Sequence, residues 1–440
     1  MRQHFEFCAA HLGRLVNNGE HYLAWFEGER SDFVRFNHGA VRQAGSVNQL
    51  TIEVRLIAGQ RHLSGKLGLT GDAATDGAAL ATLLEHLRRE LPALSDDPYL
   101  LYCMDATRSE SIRTGTLASA EQAIANIRDA GHGCDLVGIY AAGPIGRGFA
   151  SSSGSRRWHE TQSFNFDFSL YLGTDKAVKS RYAGFDWDDA TLAGTVDQAR
   201  TQLAALDQAP RTLPPGRYRA YLAPAAMAEV IALLAWGGFG LKAQRTSQSP
   251  LLRLVQGRAA LNRQVRLVEN TAHGIAADFE AQGFAKPATV PLIIAGGHAG
   301  ALVSPRSARE FGIATTGANS EEVPEALDMA AGDLAAADVL QRLGTGIYIN
   351  NLWYLNYSDR PAGRMTGMTR FATFWVERGE IVAPVNVMRF DDSLDRMFGE
   401  NLEGLTQERD YIIDPSSYGV RSTQSWRLPG ALVNDFTLTL

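Results

Sequence analysis

The stretch Pro224-Ala-Ala-Met-Ala-Glu-Val-Ile-Ala-Leu-Leu-Ala-Trp-Gly-Gly-Phe-Gly-Leu-Lys-Ala-Gln244 carries the clearest structural signal in the chain. Proline suits the first turn of a helix, because its missing N–H would have no partner there. Apolar residues then cover nearly every side of the helix, and Glu229 is the only charged residue before Lys242. A helix that is apolar all round is a buried helix. Glycines at 237, 238 and 240 permit the positive φ of a helix end. We therefore predict a buried helix over 224–240 that closes in a glycine-rich turn.

Length and composition set the class of protein. The chain has 440 residues, of which 45% are hydrophobic, and this favours two domains over one. The formal net charge of −6 argues against a nucleic-acid partner, which would require a basic stripe. Three scattered cysteines indicate a reducing compartment, and no apolar run has the length of a signal peptide or a membrane span. The sequence therefore predicts a cytoplasmic protein that binds neither nucleic acid nor a membrane.

A proline-rich segment divides the chain. Before it, helical spacing alternates with strand patterns such as 49–58, where polar and apolar residues alternate. The segment 208–216 holds three prolines and a glycine, which suits an extended linker. After it, the buried helix is followed mainly by strands. We therefore predict an α+β protein with an N-terminal mixed α/β domain (1–207), a linker (208–216) and a β-rich C-terminal domain (217–440), barrel- or sandwich-like, that contains the buried helix.

A second glycine-rich segment, 143–154, invites a phosphate-loop interpretation. The portion Gly146-Arg147-Gly148 lacks the Gly-Lys-Ser/Thr ending and the strand–loop–helix context of such a loop. We predict a turn between strands instead.

The sequence shows no local catalytic motif. No two of the ten histidines lie within one helical turn of each other, which excludes a zinc site of the two-histidine helical type. Gly-x-Ser-x-Gly is absent, and no cysteine has a characteristic context. A hydrolase site assembled from distant residues stays open, with His159, His273 and His298 as candidates.

The stretch 350–358, after a predicted strand, is rich in aromatic and amide residues. Such residues at a strand edge could hold an extended peptide as an added strand. Packing in the core and in turns is the simpler interpretation, and we favour it.

Several segments, in order, resemble the TldD/PmbA family. They are Arg35-Phe-Asn-His-Gly-Ala-Val-Arg-Gln-Ala44 leading into 54–61, then 292–317, and then Trp375-Val-Glu-Arg-Gly-Glu-Ile-Val-Ala-Pro-Val385. The resemblance covers nearly the whole chain. It implies a two-domain α/β plus β architecture and a role in proteolysis or peptide maturation, acting on extended peptides in the bacterial cytoplasm. The same resemblance also implies a protein similar to modulators of DNA gyrase.

The family resemblance also bears on metal binding. In TldD-type members a helix carries His-Glu-x-x-x-His, and a cysteine near the C-terminus resembles a third zinc ligand; TldE/PmbA-type partners lack this set. With the closing glycine placed on Gly240, the histidine positions fall on Leu234 and Phe239 and the glutamate position on Ala235. None of these can bind zinc or activate water, and no cysteine follows Cys134. The resemblance therefore implies a TldE/PmbA-type chain with no catalytic residue, cofactor or metal of its own, and zinc only in a TldD-type partner.

Three hypotheses follow. The first is a non-metal accessory subunit of a metallopeptidase complex with a TldD-like partner. The second is an active hydrolase with a rearranged site, and the third is a homodimer that binds peptides without catalysis. Candidate peptide-groove residues are Trp236, Arg245, His298, Asn350, Trp353 and Tyr357.

Overall fold

The strands of the computed structural model, which describes residues 1–173 and 175–440, form two separate sheets. The first sheet uses strands from before segment 208–216, and the second uses strands that begin at Gly216 or later. Helices account for 24% and strands for 42% of the chain. The predicted α+β class is confirmed, and the exact domain boundary stays a prediction.

The first sheet has seven strands in the order β3-β2-β1-β5-β6-β4, with β7 also paired to β6. All of its pairs are antiparallel except β4–β6. Its strands are β1 His21–Asn37, β2 Ala40–Ala58, β3 Arg61–Leu69, β4 Arg108–Arg113, β5 Asp135–Ser151, β6 Arg156–Leu172 and β7 Lys176–Gly184. The helices of this half are α1 Arg2–Leu15, α2 Ala73–Glu90, α3 Ala120–Ala130 and α4 Asp189–Leu206.

Two pairs of helices pack on different parts of this sheet. Phe5 of α1 and Leu84 of α2 share a core with Phe26 and Val54 of β1 and β2. Further along, α3 and α4 pack on β5, β6 and β7. Side-chain caps start α2, α3 and α4, because Asp72, Ser119 and Asp188 each accept a hydrogen bond from a backbone N–H of the first turn.

The predicted turn over 143–154 is wrong for most of its length, since β5 continues to Ser151. The glycines serve close packing instead. A Cβ at Gly148 would lie 2.6 Å from the ring of Phe5, and one at Gly146 would lie 2.8 Å from the ring of Trp158. Glycine in a strand often marks a place where another group approaches closely. The turn itself begins only at Ser152.

The second sheet has eleven strands in the order β11-β10-β9-β12-β18-β16-β14-β13-β8, with β15 on β14 and β17 on β18. Its strands are β8 Gly216–Leu222, β9 Leu267–Glu269, β10 Val290–Ile294, β11 Gly297–His298, β12 Ala326–Met329, β13 Gly346–Asp359, β14 Arg364–Glu377, β15 Glu380–Pro384, β16 Arg389–Ser393, β17 Leu402–Ile413 and β18 Ser425–Leu438. The helices are α5 Pro224–Ala235, α6 Leu241–Arg245, α7 Leu252–Val255, α8 Pro305–Phe311 and α9 Val339–Leu343. Short turns of other helical types lie at Leu91–Ala93, Ala336–Asp338 and Arg396–Glu400.

Strand β8 pairs with both β13 and β18, which closes part of the second sheet into a ring of strands. Helix α5 packs against β13, β18, β17 and β8. Met227, Val230 and Ile231 are buried in the largest core of the molecule, so the buried helix is confirmed. It ends at Ala235 rather than at 240, because Gly237 takes a φ of +78° and the Gly238 N–H bonds back to the Leu234 carbonyl.

Polar contacts join the two halves, one of them buried and one nearer the surface. Arg421, 3% exposed in the loop between β17 and β18, donates to Ser31 Oγ, to the Gly143 carbonyl and to both the carbonyl and Oγ of Ser163. Burial lowers the pKa of Arg421 to about 10. Asp97 forms a second joint, because it accepts from His62 and, at 2.6 Å, from the guanidinium of Arg306. No described helix has the length and apolar character needed to cross a bilayer.

Candidate functional site

The positions that the family resemblance assigns to the metal motif carry apolar side chains at the end of α5. Leu234 is 3% exposed and Phe239 is 1% exposed, and both belong to the central core. Ala235 is the last residue of α5, and Phe239 lies four residues beyond the end of the helix. Zinc in proteins takes nitrogen, sulfur or carboxylate oxygen ligands. The residues present here therefore do not fit a metal.

The three histidines proposed for a rearranged hydrolase form no hydrogen bonds with one another in the described residues. His159 is buried on β6, where Nε2 is 3.1 Å from the Ile275 carbonyl, and burial lowers its pKa. His273 is exposed in a loop and its Nδ1 is 3.0 Å from the Asn270 amide, whereas His298 is exposed on β11. Within residues 1–173 and 175–440, no three His, Cys, Asp or Glu side chains are grouped as metal ligands. Among the described residues, no serine or cysteine side chain forms a hydrogen bond to any of these three histidines.

Two of the predicted groove residues share a surface beside α5. Trp236 is 60% exposed, and the guanidinium of Arg360 lies 5.2 Å from the centre of its ring. Arg360 also lies 5.5 Å from the ring of Tyr357 and donates to the Trp236 carbonyl. The hydroxyl of Tyr357 donates to the Leu233 carbonyl at 2.8 Å. These contacts fasten the end of α5 to β13.

The other predicted groove residues do not join this surface. Trp353 is 40% exposed and packs beneath Arg370 and edge-on to Phe371. Arg245 and His298 are exposed. Of these predicted groove residues, Asn350 alone lines a large cleft that the sequence did not predict.

This cleft has a volume of about 650 Å³ and lies between the two halves of the molecule. Strand β7 and helix α4 form one wall, and β17 and β13 form the other. The start of α5, at Pro224 and Ala225, lies at its base. The amide of Asn350 donates to the Lys179 carbonyl, which ties β13 to β7. Binding sites are often found at junctions of this kind.

The cleft walls carry charges of both signs. Lys179 and Arg181 project from β7, two residues apart and therefore on one face of the strand. Glu408 and Asp410 project from β17 in the same way. Burial raises the pKa of Asp410, and burial also raises the pKa of Glu229 on the neighbouring turn of α5. The cleft therefore has a cationic wall on β7 opposite the β17 wall, where burial makes the Asp410 carboxyl ionise less readily than in water.

Comparisons with known proteins define the class to which this fold belongs. Residues 215–440, just over half of the chain, match the family model for the PmbA/TldA metallopeptidase C-terminal domain. The chain therefore belongs to the PmbA/TldD family. A comparison with curated protein sequences finds no match.

Solved structures share the whole fold. TldE from Thermococcus kodakarensis superposes with a TM-score of 0.79 at 13% identity, covering 99% of this chain and 100% of the other. A candidate modulator of a DNA gyrase from Thermotoga maritima gives 0.77 at 12% identity, covering 98% and 99%. A candidate modulator of DNA gyrase from Bacteroides thetaiotaomicron gives 0.75 at 14% identity, covering 99% and 98%. At these identities the likeness establishes the fold.

Apart from Asn350, sequence reasoning missed the residues that line the cleft. Lys179, Arg181 and Tyr221 come from strands whose patterns give no hint that they meet. The one available signal was the Lys-x-Arg spacing, which puts both cations on one face of a strand. Their position beside the start of α5 follows only from how the two halves pack.

Proposed function

We propose that this chain is a non-catalytic, peptide-binding subunit of a TldD-type metallopeptidase complex in the cytoplasm. The observation that carries the proposal is the cleft between the two halves, set beside a helix that lacks metal ligands. Extended peptides present backbone donors and acceptors along their whole length, together with side chains of either charge. A cleft with amides, hydroxyls and charges of both signs suits such a ligand.

The residues of α5 support a complex in which this chain and its partner have different roles. Its only ionisable residue is Glu229, and apolar residues stand at the positions where TldD-type relatives carry zinc ligands. A metallopeptidase needs a metal to activate water and polarise the peptide carbonyl. In this proposal a TldD-like partner supplies that metal, while this chain holds the peptide.

The proposal is tested by filling the cleft. Thr195 on α4 lines the cleft, whereas Thr201 on the same helix is exposed outside it. Both hydroxyls donate to the carbonyl of the residue four positions earlier, so they are matched in their local structure. We expect Thr195→Trp to weaken binding of a fluorescently labelled, unstructured peptide about tenfold or more in an anisotropy titration, which is about 1.4 kcal/mol.

Thr201→Trp is the control and should bind as the wild type does, because its added ring points away from the cleft walls. Equal affinities for the two variants would remove the cleft from the proposal. A wild-type protein that binds no unstructured peptide would contradict the function itself.

A further inference from the structure

Part of strand β2 forms an open edge of the first sheet. Strand β3 pairs with β2 only as far as Leu50, which lies opposite Leu69. Residues 43–48 of β2 pair with β1 on one side, and on the other side they have no neighbouring strand among the described residues. All of them except Val47 are exposed, and their register with β1 is regular. A regular open edge offers free N–H and C=O groups to another strand.

The open edge lacks the residues that normally prevent another strand from pairing. Proteins protect such edges with lysine, other charged residues or proline. The other edge strands of the first sheet each carry at least two cations. These are Arg61 and Lys66 on β3, Arg108 and Arg113 on β4, and Lys179 and Arg181 on β7. In contrast, residues 43–48 read Gln-Ala-Gly-Ser-Val-Asn, with neither a charge nor a proline. This segment is therefore suited to pairing with an added strand.

A pocket of about 530 Å³ lies at the point where β3 leaves the edge of β2. Asn48 and Leu50 of β2 and Leu69 at the end of β3 form part of its wall. Helix α1 contributes His4 and Phe7. A strand added along the open edge would end beside this pocket, so that one of its side chains can enter. When a peptide binds as an added strand, its backbone provides affinity and side-chain pockets provide specificity.

A buried carboxylate holds the wall of this pocket in place. Asp76 on α2 is 1% exposed and accepts hydrogen bonds from the backbone N–H groups of Thr70 and Gly71. Its Oδ2 also lies 2.7 Å from Nε2 of His4. Thr70, Gly71 and His4 all line the pocket. A wall that is fixed before binding loses little entropy when a ligand binds.

Two arginines flank the open edge. Arg42 precedes the segment on β2, whereas Arg30 on β1 lies opposite Asn48 and lines the pocket. Both are exposed, and neither forms an ion pair or a side-chain hydrogen bond with a described residue. Asp32 on the same hairpin accepts a hydrogen bond from the hydroxyl of Ser46. The two free cations at the ends of an uncharged edge favour an acidic ligand.

We propose that the open edge over 43–48 binds an acidic, extended segment of another protein as an added strand. One side chain of this segment occupies the pocket beside Asn48, and its acidic residues lie against Arg30 and Arg42. At about 3.3 Å per residue, the edge accepts about 20 Å of extended chain. This surface lies outside the cleft, so the inference does not depend on the proposed function.

The test measures amide hydrogen exchange of 43–48 in the wild-type protein as a peptide is added. The probe is an unstructured, threonine-rich octapeptide with glutamate at both ends. We expect the outward N–H groups of the edge to exchange rapidly in the free protein and at least tenfold more slowly at saturating peptide. An unchanged exchange rate would overturn the inference. Protection in the free protein that disappears on dilution would also overturn it, because a second copy of the chain would then cover the edge.

Two modified peptides separate strand pairing from charge. The first keeps both glutamates but carries N-methyl groups on its central backbone nitrogens, which prevents strand pairing. The second carries glutamine in place of both glutamates. We expect each to need about tenfold or more peptide for half-maximal protection of 43–48. Equal protection by the N-methylated peptide would contradict an added strand, and equal protection by the glutamine peptide would contradict an acidic ligand.

A paired variant locates the charge effect. In Arg30→Gln/Arg42→Gln, the glutamate and glutamine peptides should protect the edge alike, and thermal unfolding checks that the variant is folded. Arg258→Gln/Arg263→Gln removes the same charge from exposed positions elsewhere and should keep the preference for glutamate. Thr195→Trp fills the cleft and should leave protection of the edge unchanged. Loss of protection in Thr195→Trp, or an unchanged preference in Arg30→Gln/Arg42→Gln, would overturn the inference.

Discussion

Glu269 and Glu280 show how single buried carboxyl groups shape the behaviour of this protein. Glu269 is 6% exposed on β9 and accepts from the N–H groups of Glu325 and Ala326. Glu280 is 4% exposed and accepts from the N–H groups of Gln282 and Phe284. Burial outweighs these hydrogen bonds and raises the pKa of each carboxyl to about 7.

These two groups predict a stability that falls as the pH rises. Between pH 4.5, where a free glutamate ionises, and about 7, the folded protein keeps protons that the unfolded chain has released. The contribution of these two carboxyl groups to the free energy of unfolding therefore decreases across this range. Urea unfolding from pH 4.5 to 8 measures it, and Glu269→Gln should flatten the decrease in part. Exposed Glu85→Gln is the control, and an identical pH profile for both variants and the wild type would contradict the assignment.

At the scale of elements, the fold depends on close approaches that glycine allows. Helix α1 crosses β5 at Gly148, and the ring of Phe5 occupies the space where a side chain would stand. This contact brings together residues more than a hundred positions apart in the chain. It fixes the first helix on the first sheet.

Replacing this glycine should weaken the protein measurably. A Cβ at Gly148 would lie 2.6 Å from a buried ring, so Gly148→Ala should lower the free energy of unfolding by about 1–3 kcal/mol. Gly45→Ala on β2 is the matched control, because a Cβ there meets nothing within 4 Å, and it should change stability by less than about 0.5 kcal/mol. Chemical denaturation compares them. Equal effects of the two substitutions would mean that the contact with Phe5 contributes nothing.

The sequence predicts elements whose signal is local and misses features made by distant residues. Helix α5 was predicted because an apolar run after Pro224 is a local pattern, and only its end was misplaced. The glycines of β5 resembled a turn because the rings of Phe5 and Trp158, which explain them, lie elsewhere in the sequence. The sequence likewise could not predict that Lys179 and Arg181 line a cleft, because this depends on the position of β7 beside α5.

The whole molecule is organised around the junction of its two halves. The cleft takes its walls from both halves, so the proposed peptide binding requires that the halves keep their relative position. Arg421 and Asp97 cross the junction with hydrogen bonds and an ion pair. The guanidinium of Arg306 and the imidazole of His62 help to lower the pKa of Asp97 to about 2 against the effect of burial, so this joint stays charged at neutral pH.

The proposed metal-free, peptide-binding subunit should depend on a partner for the cleavage of peptides. The measurement that tests this most directly is peptidase activity of the purified chain alone, of a TldD-type protein from the same source, and of their mixture. Zinc per chain is determined on the same samples. We predict that the chain alone cleaves no peptide and holds no stoichiometric zinc, and that its addition raises the activity of the TldD-type protein. Peptide cleavage by the isolated chain, or one bound zinc per chain, would contradict the account.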